Sequence, residues 1–511
     1  MRAIYGRAAA ATLFVAFAAP AIAQPFANLK SSAVNYSVTT AEPKLSCEAL
    51  ATTFKDKDIV SLTTRSIAAD AKAPAHCRVS GVLSPEIGFE VNLPAKWNER
   101  LYMIGNGGLA GQEPDDPGQA ALRGEPLTNG FVMVSTDTGH NASKDQGGTF
   151  ALRNPATAVD YAYRAVHLTL VTAKKIANTY YARPVSKAYW NSCSNGGRQG
   201  LIEAQRFPTD FDGIVANAPW VDQTGFTIDA IWNQRALAET PVSADKLKLV
   251  AARAMAKCDK LDGLADGLID DPRRCDFDPA RDVPELSPAE AATLKKIYGG
   301  VTSNGKPFFP GFMIGSENAG GWSNLIIPGR PGADPADFNL AQGVMKYLVF
   351  DPPKPDWDYK TFDFDKDVHV VDRWGKLANA KDADLSAFRK HGGKLVMTYG
   401  WADGILQPMM GVTYYENAVQ KNGPRTKEFF RLFMVPGMAH CGGGVGPDQN
   451  DAVSAVIDWV EKGKAPESLV AKKIVKGEVT RSRPLCPYPQ VARYKGNGSI
   501  DDAQNFSCVA P

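Results

Sequence analysis

The chain has 511 residues, with 57 Lys and Arg against 55 Asp and Glu, a formal net charge of +2. With no basic stripe, this balance excludes the electrostatic footprint of a nucleic-acid-binding protein. The length exceeds what one hydrophobic core usually organises, so two domains, or one domain with a large insertion, are expected.

The N-terminus reads as a targeting segment. Met1-Arg2 and Arg7 make a short basic start, Ala8 to Ala19 is apolar, and Ala21-Ile22-Ala23 is an A-x-A-like cleavage site. This is the pattern of a secretory signal peptide over 1–23, too short to stay as an anchor. Cleavage near Ala23 starts the mature chain at Gln24 and sends it to the periplasm or outside the cell. No later apolar run reaches spanning length, so no membrane anchor is expected.

Eight cysteines follow: Cys47, Cys77, Cys193, Cys258, Cys275, Cys441, Cys486 and Cys508. An even number behind a signal peptide reads as disulfides formed in an oxidising compartment. No pair is spaced C-x-x-C, which argues against zinc or thioredoxin-type chemistry. Eight cysteines allow about 105 pairings, so sequence alone leaves the connectivity open.

In chain order, Leu101 to Ile104 and Phe131 to Ser135 are short apolar strands that end in turn residues. A helix is expected over 155–180, because Val159, Ala162, Val166, Leu170, Ala173 and Ala177 recur at steps of three and four. Lys187 to Ser192 reads as a strand ending in a sharp Gly-rich turn. Gly200 to Arg206 begins the next helix, and Ile214 to Ala216 is a further strand. This alternation predicts an α/β protein with a mainly parallel sheet. After Pro219-Trp220 it stops: 221–384 is richer in Pro, Gly, Asp and Trp and reads as an inserted lid. Strands 394–399 and 428–435 and a helix over 451–462 restore the alternation, so the core is expected to be built from 24–220 and 385–511. No internal repeat or low-complexity tract interrupts it.

The chemistry centres on Ser192-Cys193-Ser194-Asn195-Gly196-Gly197, between a predicted strand and a predicted helix. That context is a nucleophile elbow, in which a strained turn lifts a Ser hydroxyl above the sheet edge. Ser192 replaces the first Gly of the G-x-S-x-G pattern, and the segment alone also fits a Ser/Gly turn capping a helix. The partners argue for the elbow. Asp403 follows strand 394–399, and His440 follows strand 428–435, in the order Ser, acid, His used by α/β-hydrolases. His440 is the candidate base for Ser194, and Asp403 holds its tautomer. A Cys193–Cys441 bridge would draw the two loops together, since bridged Cα atoms stand about 5.5–6 Å apart. The residues also leave open a free buried Cys193 thiol or another partner, as the lesser reading. For the oxyanion, one N–H is expected from Asn195 and a second from the loop Gly105 to Leu109, at Gly108. That loop also matches a dinucleotide fingerprint, but no helix follows to bind a phosphate.

Cys193-Ser194-x-Gly196-Gly197, Asp403 and His440-Cys441 together resemble the tannase and feruloyl esterase family, which includes mono(2-hydroxyethyl) terephthalate hydrolase. The likeness covers essentially the whole mature chain. It implies an α/β-hydrolase fold with a large lid and a serine esterase acting on small esters of hydroxycinnamic, gallic or related aromatic acids, without an organic cofactor. It also implies the pairs Cys193–Cys441, Cys47–Cys77, Cys258–Cys275 and Cys486–Cys508. A structural Ca²⁺ in the lid is implied, held by Asp259, Asp262 and Asp266 with the carbonyls of Leu264 and Leu268. The residues themselves are compatible: carboxylates at steps of three and four among glycines supply hard oxygen ligands, although a solvated acidic loop has the same composition. The acyl pocket is expected at Trp401 and Leu406, with Phe308, Phe309, Phe312 and Trp322 as candidate ring covers. Many members have Pro after the catalytic Asp where this chain has Gly404. The terephthalate enzyme has an aromatic clamp where this chain has Leu406, which argues against a terephthalate specialist. An acyltransferase, a peptidase and a non-catalytic binding protein are the competing readings.

Overall fold

The computed structural model describes residues 25–36, 38, 41–317, 321–328 and 333–511. The segment 1–23, read as a signal peptide, lies outside the described residues. Nine strands form the main sheet: β1 (Ile59–Ile67), β2 (His76–Leu83), β3 (Ile87–Pro94), β4 (Arg100–Ile104), β5 (Val132–Thr136), β6 (Lys187–Cys193), β7 (Gly213–Asn217), β8 (Lys394–Gly400) and β9 (Phe430–Val435). Their spatial order is β1-β2-β3-β5-β4-β6-β7-β8-β9. The pairs β1–β2, β2–β3 and β3–β5 are antiparallel. From β5 through β9 every pair is parallel.

The parallel strands are apolar on both faces because both faces are covered. Leu101 and Met103 of β4, Trp190 of β6 and Leu395 and Met397 of β8 belong to one core. The alternating residues Tyr102, Ile104, Tyr189 and Val396 belong to the core on the other side. Helix α1 (Ala165–Tyr181) packs on β3 and β5, α2 (Asn195–Arg206) on β6 and β7, and the C-terminal helix Ala452–Lys462 on β7 and β8.

Between β7 and β8 the chain adds helices α3 (Gln223–Glu239), α4 (Ala244–Cys258), α5 (Pro288–Gly299), α6 (Ala336–Val344) and α7 (Asp372–Ala378), with a small hairpin. Part of this segment has its own hydrophobic core, in which Leu237, Val250, Leu294, Ile297, Phe312 and Trp322 meet.

Several boundaries differ from the sequence reading. The helix expected over 155–180 runs from Ala156 to Tyr181 and contains a wide π turn at Asp160–Arg164. Helix α2 starts at Asn195, directly on the elbow, rather than at Gly200. Strand β9 starts at Phe430 because Pro424–Glu428 forms a 3₁₀ turn. The last helix starts at Ala452, with the Asp451 carboxylate accepting from Ser454 N at 2.9 Å as its cap.

Candidate active site

Ser194 stands between β6 and α2 with φ 62° and ψ −125°, backbone that a side chain occupies only under constraint. The constraint is visible. Ser194 N–H donates to the Asn217 carbonyl at 3.0 Å, and the Ser194 carbonyl accepts from Trp220 N–H at 3.1 Å and Arg198 N–H at 3.0 Å. The helix starts so close to the strand that a Cβ on Gly196 would stand 1.9 Å from Ser192 Oγ. A Cβ on Gly197 would stand 2.7 Å from the Asn217 carbonyl oxygen.

Asp403 follows β8 and is fully buried at 0% exposure. Its Oδ1 accepts from the N–H groups of Ile405 at 3.0 Å and Leu406 at 2.9 Å. Those bonds turn Oδ2 toward His440, whose Nδ1 lies 2.7 Å away. An imidazole that donates its Nδ1–H to a carboxylate keeps Nε2 as a free base. Gly404 fits because a Cβ there would stand 2.2 Å from the Gly321 carbonyl oxygen; a proline would collide with that backbone.

Cys193 and Cys441, the neighbours of Ser194 and His440, are bonded, with Cα atoms 5.9 Å apart across a sequence separation of 248. The other bridges join Cys47–Cys77, Cys258–Cys275 and Cys486–Cys508. No free cysteine is present among the described residues.

The loop after β4 is tied to the start of α2. Asn106 N–H donates to Gln199 Oε1 at 3.1 Å, and Asn195 Nδ2 donates to the Asn106 carbonyl at 3.2 Å. Asn195 Oδ1 accepts from the Tyr161 hydroxyl at 3.1 Å and Arg198 Nε at 2.7 Å. Behind them, Gln223 Nε2 donates to the Tyr161 hydroxyl, and Trp374 Nε1 donates to Gln223 Oε1. Arg198 is fully buried, its guanidinium donating to the carbonyls of Ala162, Ala378 and Tyr161. This network fixes the backbone around Gly108 and Asn195, whose own N–H groups have no acceptor among the described residues. Tyr161, Arg198, Gln223 and Trp374 escaped the sequence reading. Arg198 meets Asn195 one turn along α2, and the π turn and the tertiary fold bring the other three to them.

Trp401 and Leu406 are 4% and 2% exposed and sit in the same core as Cys193 and Cys441. The Arg273 guanidinium lies over the Trp401 ring, 4.9 Å from its centroid. Beside Leu406, Gln407 donates to the fully buried carboxyl of Asp229, which burial pushes well above the usual carboxylate range. Of the candidate ring covers, Phe312 and Trp322 are consumed by the inserted segment's own core, and Phe309 is buried against Gly225. Phe308 is 39% exposed.

The acidic segment after α4 is closed by the Cys258–Cys275 bridge. Asp259 Oδ1 accepts from Asp266 N and Gly267 N, Asp262 Oδ1 from Leu264 N, and Asp266 Oδ1 from Leu268 N. Arg483 pairs with the buried carboxylate of Asp266. Asp270, outside the expected ligand set, joins the cluster: burial and then the charges of Asp262, Asp271 and Asp266 push it up to about 7.

A Ser at a strand-to-helix elbow of a mainly parallel sheet, with an acid–imidazole pair carried by the loops after the last two parallel strands, β8 and β9, defines an α/β-hydrolase, and the protein is a carboxylic ester hydrolase. It belongs to the tannase and feruloyl esterase family, whose model it matches over residues 71–509. An uncharacterized esterase from Xanthomonas campestris is 36% identical, the match covering 85% of this chain and 84% of the relative. Mono(2-hydroxyethyl) terephthalate hydrolase from Piscinibacter sakaiensis is 31% identical, covering 87% and 86%. Among solved structures, feruloyl esterase B from Aspergillus oryzae is similar with a TM-score of 0.77 and 28% identity, over 91% of this chain and 100% of that one.

Proposed function

We propose that the protein is a secreted serine esterase that cleaves esters of hydroxycinnamic, gallic or related aromatic acids through an acyl-enzyme on Ser194. The observation that carries the reading is the loop geometry: His440 Nδ1 lies 2.7 Å from the buried Asp403, and the residue after His440 is bonded to the residue before Ser194. His440 Nε2 takes the Ser194 proton as Oγ attacks the ester carbonyl. The N–H groups of Asn195 and Gly108 stabilise the oxyanion of the tetrahedral intermediate. His440 then protonates the departing alcohol. A water, deprotonated by the same nitrogen, releases the acid. Asp403 stabilises the imidazolium in both halves. Trp401 and Leu406 supply apolar surface to the acyl side.

The family named for tannase and feruloyl esterase supports the aromatic acyl group. The relative named for mono(2-hydroxyethyl) terephthalate hydrolysis favours a terephthalate monoester as a second reading. Four disulfides support an oxidising destination. Asp259, Asp262 and Asp266, with the carbonyls of Leu264 and Leu268, suit Ca²⁺, because every donor is a hard oxygen and backbone N–H bonds orient each carboxylate. Bound there, the cation supplies charge neutralisation to the acidic segment, a structural role.

The test is turnover of methyl ferulate, methyl gallate, mono(2-hydroxyethyl) terephthalate and p-nitrophenyl butyrate, with Ser194→Ala beside the wild type. Turnover of an aromatic ester that vanishes in the variant supports the reading. Activity that survives Ser194→Ala sinks it, and preference for the butyrate ester removes the aromatic acyl group.

A further inference from the structure

Away from the triad, one group among the described residues brings an imidazole and two carboxylates together. His167 on α1, Glu203 on α2 and Asp210, shortly before β7, each offer a ligand-type atom within 4.8 Å of the other two. Glu203 is 1% exposed, no N–H or hydroxyl donor reaches its carboxylate oxygens, and its neighbour there is the carboxyl of Asp210. A buried carboxyl group without a donor is either kept protonated or neutralised by a cation.

The surroundings are built rather than loose. His167 Nδ1 lies 2.6 Å from Asp210 Oδ2, and the imidazole stacks on Phe207 with ring centroids 3.9 Å apart. The nearby cation, Lys174, gives its hydrogen bond to the backbone carbonyl of Asp210 at 2.6 Å. The His167 side chain is 29% exposed and that of Asp210 10%, so the group opens to solvent on one side.

We propose that His167, Glu203 and Asp210 form a binding site for a first-row divalent cation of the Zn²⁺ type, distinct from the acidic segment after α4. One imidazole nitrogen and two carboxylate oxygens are a donor set such ions accept, with water completing the fourth position from the open side. Tetrahedral ligation at about 2.1 Å sets ligand atoms about 3.4 Å apart, so the short His167–Asp210 contact opens slightly to admit the ion. The ion pins α1 to α2, the helix that begins at the elbow. Glu203 lies about 13 Å along that helix from Ser194, too far to touch the reacting ester. The role is therefore a staple.

Chelator-treated, calcium-saturated protein is titrated with ZnCl₂ by calorimetry, and Tm is read with and without zinc. The wild type should take up one equivalent at this site and gain Tm. His167→Gln should bind it at least tenfold more weakly and lose the Tm gain, as should Glu203→Gln. His440 is the competing imidazole, so His440→Ala must still bind the equivalent. Because His167 is partly exposed, His167→Gln tests the site even if Glu203→Gln does not fold. Equal zinc affinity in wild type and His167→Gln overturns the proposal. So does a folded wild type that gains no Tm from zinc while Glu203→Gln gains Tm without metal, the mark of two carboxyls sharing a proton.

Discussion

Ser194 holds a φ of 62° that costs on the order of 1–3 kcal/mol, and the cost is met by three backbone hydrogen bonds around it. Removing its hydroxyl therefore leaves the turn intact. Ser194→Ala should lower kcat by about 10⁴–10⁶-fold with unchanged circular dichroism and Tm. A second residue contributes to the pH response. Asp137 is pushed up to about 7, chiefly by burial, although its Oδ1 accepts from Gly88 N and Gly139 N. A carboxyl raised above its unfolded value holds its proton more tightly when folded, so its contribution is lost as pH climbs from about 4 through 7. Asn keeps Oδ1 as the acceptor and carries no charge. Asp137→Asn should match the wild type near pH 4 and exceed it by about 2–4 kcal/mol at pH 8 in urea unfolding; equal slopes would refute the assignment. At this scale the Ser194 turn and the Asp403–His440 pair were legible, because each residue has a distinctive chemistry just past an apolar run. Arg198 was not, because its acceptors Ala162 and Ala378 lie 36 and 180 residues away.

Elements explain why those residues meet. Helix α2 presses on the chain after β7, where a Cβ on Gly197 would meet the Asn217 carbonyl oxygen at 2.7 Å and Pro219 Cα at 2.8 Å. Both atoms are backbone and cannot swing aside. Gly197→Ala should cost about 1–3 kcal/mol and lower kcat with it, measured by urea unfolding and steady-state kinetics together. The same closeness accounts for a helix that opens at Asn195 rather than at Gly200: glycines at 196 and 197 let its first turn lie against β6 and β7. The Cys193–Cys441 bridge joins the loops of β6 and β9. Cys193→Ser with Cys441→Ser should lose up to ~5 kcal/mol in the chain-entropy limit and about 100-fold in kcat from loosened alignment. Loss of stability with full kcat would show that packing alone aligns the triad.

Across the whole molecule, the parallel half of the sheet is assembled from stretches separated by the segment between β7 and β8. The alternation around that gap was legible, since buried parallel strands are continuous apolar runs. The interior of the segment was not: Phe312 and Trp322, candidates for ring covers by composition, serve its own core. Its acidic part gives a prediction at this scale. Chelation by EGTA should lower Tm reversibly, and Asp262→Ala should abolish the difference; an unchanged Tm in chelator would remove calcium from the account. The bridge between Cys193 and Cys441 also spans this segment from end to end. A protease that nicks the chain anywhere between β7 and β8 therefore leaves Ser194 and His440 on one covalent molecule. Such a product migrates as a single band without reductant, splits into fragments with it, and keeps the Ser194 and His440 loops joined.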